Sequence, residues 1–112
     1  MKEDTVKIRG FHAHVYFDPV TRETAARVRS GLEDFDVRLG RWHDKPIGPH
    51  PKAMYQVAFS PEQFSKVVPW LMLNREELDI LVHPETGNDL KDHTEHALWL
   101  GEKLELNIKF LQ

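Results

Sequence analysis

An α+β domain of the ferredoxin-like kind is predicted by three observations. Short segments of period-two alternation are interleaved with two segments of helical periodicity. Their order is strand, helix, strand, strand, helix, strand, the split βαβ pattern. The chain has 112 residues and no cysteine, a size that closes around one core without covalent staples. The expectation is a single domain, 1–112, with a four-stranded antiparallel sheet in the order 4-1-3-2. Two helices lie on one face, and a short helix and strand extend the C-terminal end.

Each element has its own signal. "GFHAHVYF" alternates apolar and polar side chains and predicts a strand over about 8–17. Asp18-Pro19 then starts a helix over about 20–33, where Ala25, Val28 and Leu32 recur at helical spacing and Gly31 marks the end. "DVRLGRW" predicts a second strand, about 36–42, and "HDKPIGPHP" a loop. "KAMYQVAF" predicts a third strand, about 52–59. Ser60 and Pro61 open a second helix, which Pro69 should kink or interrupt. "ELDILVH" predicts a fourth strand, about 77–83. The remainder reads as a turn, a short helix and an edge-like fifth strand.

Composition excludes several chemistries. Without cysteine there is no disulfide, thiolate metal site, iron–sulfur cluster or cysteine nucleophile. The net charge is -3 with both signs interspersed, which argues against a nucleic-acid partner. The charged start, "MKEDTVKIRG", has no apolar core of a secretion signal, and no run is apolar enough to span a membrane. A cytoplasmic location is the expectation. The unusual count is histidine, seven residues, the side chain best suited to metals and to proton transfer near neutrality.

Alternation decides where those histidines go. Helices need an apolar sheet face, and Phe11, Ala13, Val15, Phe17, Val57 and Ile80 are among the residues that supply it. Their neighbours then point to the opposite face. These are His12, His14, Tyr16, Arg38, Trp42, Met54, Gln56, Leu81 and His83, joined by His50 if the third strand starts early. One rule thus collects four of the seven histidines on a helix-free surface. His-x-His on a strand sets two imidazoles on one side, about 6.5–7 Å apart at the backbone, close enough to share an ion. His83 should meet His12 or His14, because strand four flanks strand one. His50 lies toward the other end, so its loop must fold back. Imidazole suits Zn, Cu, Fe and Ni. No carboxylate is obviously placed to join: Asp79 is a strand turn from His83, and Glu85 follows on a loop. Singly, each histidine has a plain reading as a surface or loop residue. His43 is expected to face solvent, and His93 and His96 fall on one helix face, with His93 also available as an acid or base. Trp70 reads as core, and Trp99 as core or as a cover on the open face.

The stretches "FHAHVYF", "GPHPKAMYQVAF", "WLMLNR" and "LVHPETGNDLKDHTEHALWLG" resemble the DOPA 4,5-dioxygenase family of fungi and bacteria, in order and at matching spacing. The resemblance implies a small dimeric ferredoxin-like domain, non-haem iron, and extradiol cleavage of a catechol by O2. In that setting His14, His50 and His83 are the preferred Fe(II) ligands, with His12 as alternate, and Zn or another divalent ion is the substitute occupant in a purified sample. His12 or His93 is the candidate base. Arg38 would meet a substrate carboxylate, and Tyr16, Trp42 and Gln56 would line the substrate. A homodimer is expected to shield the open face. Two other readings compete. One is a dimeric binding module whose interface is Met54, Leu81 and Trp42, with an adventitious metal site. The other is a cofactor-free monooxygenase of related topology.

Overall fold

The computed structural model describes residues 6–112. Strand β1, Phe11–Phe17, leads into helix α1, Arg22–Leu32. Asp18 accepts from the Val20 and Thr21 backbone N–H groups and so turns the chain into that helix. A two-residue strand β2, Arg38–Leu39, and strand β3, Ala53–Phe59, follow. A 3₁₀ turn, Pro61–Gln63, precedes helix α2, Phe64–Asn74. Pro69 sits inside α2, and the helix runs on through it rather than breaking there. Strand β4, Ile80–Pro84, short helix α3, Asp89–His93, and strand β5, Leu98–Leu100, complete the main elements. A final 3₁₀ turn covers Ile108–Leu111.

All strand pairs are antiparallel, in the order β2-β3-β1-β4-β5. This is the expected 4-1-3-2 arrangement with β5 added beyond β4, so the sheet has five strands rather than four. The alternation of β1 divides the sheet as the sequence reading requires. Ala13, Val15 and Phe17 join Val57, Ile80 and Val82 in a core under α1 and α2. The Tyr55 hydroxyl donates to the Ala25 carbonyl at 2.8 Å and ties sheet to helix. The helices touch where Gly31 meets the Trp70 indole; a side chain at that position would collide with the ring.

The other face is not bare. Tyr16, Met54 and Leu81 form a second buried cluster, covered by Ala97, Trp99, Leu104 and Leu106. The segment after β5 therefore crosses part of the face that the sequence reading left open. Its course is fixed by the Asn107 N–H, which donates to the Pro49 carbonyl at 2.8 Å. Met54 and Leu81 are thus buried within the chain, which removes them from the expected dimer interface of a binding module.

Candidate metal centre

Strand register places the histidines in rows. His12 is directly opposite His83, and on its other side faces Ala58, which pairs with Arg38. His14 lies between Gln56 and Leu81. Tyr16 pairs with Met54, which bridges to His43. Paired residues share a face, so these rows stand together on the side away from the helices. The loop before β3 folds back, as it must, and brings the His50 ring to 4.2 Å from that of His14. Helix α3 carries the His93 ring to 4.0 Å from His83.

Two groups of three histidines place one nitrogen each within 4.8 Å of one another: His12, His14 and His83, and His14, His50 and His93. The preferred ligand set, His14 with His50 and His83, is neither of these, because His50 and His83 fall in different groups. The first group stands entirely on β1 and β4, whose backbones are paired. Side chains on strands are held more tightly than side chains on loops.

Hydrogen bonds fix most of the tautomers. His83 Nδ1 lies 2.9 Å from the Pro84 carbonyl, and His93 Nδ1 lies 2.7 Å from the Asp89 carbonyl. A carbonyl only accepts, so both Nδ1 atoms carry hydrogen, and in the neutral form of each ring the lone pair lies on Nε2. His14 Nε2 is 3.1 Å from His83 Nε2 and must donate to it. Among the described residues, His14 Nδ1 is then buried with no hydrogen-bond partner. Tyr16 Oη meets His50 Nδ1 at 2.7 Å.

Electrostatics favour the neutral form of His12, His14, His50 and His83. Burial pushes the His14 pKa well below the ordinary value, and the neighbouring His50 pushes the same way. Burial, then His93, lowers His83 to about 3. Burial, then His93 and His43, lowers His50 to about 4. His12 is lowered by burial against the opposing pull of Glu85. Burial raises the Tyr16 phenol. Neutral imidazole is the form that binds cations. Two nitrogens bonded to one ion at 2.0–2.1 Å and at a right angle stand about 3 Å apart, close to the His14–His83 separation. A buried imidazole with an orphaned nitrogen, packed among other imidazoles, is a donor set that fits a cation.

The structure also corrects the expected lining. Trp42 packs against Phe17 and Tyr55, with the Arg22 guanidinium 4.1 Å above its ring. It is on the helix side and away from the site. The reason is an extra residue: Leu39 pairs with Val57 and His43 with Met54, so four steps on one strand match three on the other. Such a bulge reverses the side on which later side chains emerge. It turns Trp42 inward and brings His43, expected in solvent, half-buried onto the histidine face. Arg38 does line a cleft of about 520 Å³ beside His12, together with Arg9, Asp36, Glu85 and Asp89. Gln56 is half-buried opposite His14. Tyr16 is buried, stacks on Trp99 and bonds His50, so it does not reach that cleft.

Two sets of carboxylate contacts surround the cluster. Glu85 Oε2 sits 3.6 Å from both His12 Nδ1 and His83 Nδ1. Buried Asp92 accepts from the Thr86 N–H and hydroxyl at 2.8 and 2.6 Å and bonds His96 at 3.0 Å. Burial opposes its ionisation, but Thr86 and His96 outweigh this and hold the carboxyl below its usual range. This network anchors α3 and so places His93. Glu85 follows β4 on a loop and Asp92 lies on a helix of only five residues, so neither contact leaves a periodic signal in the sequence.

Fold and site together define a small α+β domain that bears a histidine cluster on the helix-free face of its sheet. Among the described residues no helix is long and apolar enough to cross a membrane. The chain belongs to the Dopa 4,5-dioxygenase family, which it matches over residues 11–110. It is 33% identical over 112 residues to the DOPA 4,5-dioxygenase of Amanita muscaria, covering 91% of this chain and 49% of that protein. It is 39% identical over 119 residues to an uncharacterized 21.2 kDa protein of Botryotinia fuckeliana, covering 94% and 65%. The chain therefore spans 49% and 65% of the lengths of these two fungal relatives. A crystal structure of a candidate dioxygenase from Nostoc punctiforme is 71% identical, with a TM-score of 0.95 and coverage of 97% and 96%.

Proposed function

We propose that this protein is a non-haem iron dioxygenase that opens the ring of a catechol, DOPA or a related catechol acid, by extradiol cleavage. The observation that carries this reading is the 3.1 Å meeting of His14 and His83 nitrogens, buried and neutral, in a member of a dioxygenase family. In the reaction one ring C–C bond beside the diol breaks and both atoms of O2 enter the product, so no outside reductant is consumed. His12, His14 and His83 would hold Fe(II). The ion, when bound, supplies a Lewis acid for the catechol oxygens and a redox-active partner for O2.

The chain's own residues do the rest. His83 is held by the Pro84 carbonyl, which points its Nε2 lone pair into the cluster. His93 is held in the same way by the Asp89 carbonyl, which leaves its Nε2 free to take a catechol proton as general base. Arg38 and Arg9 stand in the cleft beside His12, where a guanidinium pairs with a substrate carboxylate through two hydrogen bonds. Burial of His14 and His83 keeps water from the inner side of the site.

The test is anaerobic loading with Fe(II), metal analysis, and then exposure to air with DOPA and a panel of simple catechols. Stoichiometric iron and a new absorbance from the opened ring are the expected results. Iron-loaded protein that leaves every catechol intact would overturn the function and leave the fold untouched.

A further inference from the structure

Tyr16 and His50 form an isolated pair inside the protein. Tyr16 is 1% exposed, and among the described residues its hydroxyl has one hydrogen-bond partner, His50 Nδ1 at 2.7 Å. A buried phenol keeps its hydrogen and needs an acceptor for it. The bond can run in two directions. If His50 Nδ1–H donated to the phenol oxygen, the phenol hydrogen would be left buried with no acceptor. An unmet buried donor costs about 1–3 kcal/mol. If the phenol donates, both groups are satisfied.

We infer that Tyr16 donates its hydrogen to His50 Nδ1 and so fixes His50, in the metal-free protein, as the tautomer with hydrogen on Nε2, a hydrogen-bond donor within the cluster. His50 is then opposite in kind to His83 and His93, whose Nδ1 hydrogens go to carbonyls and whose Nε2 atoms are bare. With Nδ1 occupied, the one nitrogen left to face an occupant of the site carries a hydrogen. That N–H is suited to an oxygen atom on which negative charge develops. Tyr16 is a positioning residue that acts through His50. Its own ring is stacked on Trp99 at 5.9 Å with planes 17° apart, so the hydroxyl is well aimed. What the N–H faces rests on the dioxygenase reading above; the tautomer does not.

The tautomer is read directly from long-range ¹H–¹⁵N correlation spectra of the metal-free protein at pH 7.5. The expected result is a protonated His50 Nε2 and a bare Nδ1 in the wild type, with that preference lost in Tyr16→Phe. A wild-type spectrum showing hydrogen on Nδ1 would overturn the inference. Anaerobic Fe(II) titration tests the dioxygenase reading separately: if the wild type binds no metal at all, that reading fails, and the spectra still decide the tautomer.

Discussion

His14 and Trp42 show opposite sides of what single side chains do here. His14 is 3% exposed, with one nitrogen on His83 and the other without a partner among the described residues. Such an arrangement is a poor way to fill a core and a good way to hold an ion. Replacing His14 or His83 by Ala should therefore weaken Fe(II) or Zn(II) binding by more than about a hundredfold, since even outer partners of ligands are worth tenfold or more. Replacing His96, which is bonded to Asp92, should leave affinity near wild type. Competition with a chromophoric chelator measures both. Trp42 makes the contrary case. Trp42→Ala should cost about 3 kcal/mol, the low end for a Trp truncation because the ring is half-buried, with KM for the catechol unchanged. Urea denaturation and steady-state kinetics separate these outcomes. The placement of His12, His14 and His83 was legible because β1 and β4 are regular and alternation has no other solution. That of Trp42 was not, because one inserted residue in a weakly patterned strand leaves no trace in the spacing of apolar side chains.

Two small elements with little core of their own position the site. Helix α3 has five residues, too few to be stable alone. Asn88 caps it by accepting from the Lys91 N–H at 3.0 Å, and Asp92 pins it to Thr86. Asp92→Ala leaves the Thr86 donors unmet, which costs about 1–3 kcal/mol. It also frees His93, so turnover should drop while bound iron remains stoichiometric. Retained turnover would show that His93 is not the base. The segment 102–107 is the second such element. Leu104 and Leu106 lie over Tyr16, Met54 and Leu81, and Leu106→Asp should lower stability by about 1–2 kcal/mol through lost apolar burial. The urea midpoint reports it, and a rise in dye binding to the uncovered face should accompany it. The two long helices and three of the strands were readable from their periods. This covering segment was not, because its two leucines alternate with charges and match an edge strand equally well.

The fold keeps a group of ionisable rings uncharged, and the metal-free protein should show this as a pH dependence. An unfolded histidine titrates near 6.5, whereas folded His50 and His83 titrate at about 4 and 3. Between those values the unfolded chain holds more protons. Stability must therefore fall as pH drops below 6.5, with a slope approaching about 1.4 kcal/mol per pH unit for each of the two rings. Above about pH 7.5 neither ring contributes a slope. Urea midpoints at pH 7.5, 6 and 5 provide the check, and a flat profile would mean that the rings are solvated. The segment that follows β5 covers apolar residues of the face that the expected homodimer was to shield. The pairing of β1 with β4 carries one more consequence. His14 and His83 are 69 residues apart in sequence yet touch across adjacent strands. An ion gripped by both would act as a clasp on a long closed loop, so that stripping it with a chelator should quicken unfolding and loosen amide exchange in the central strands first.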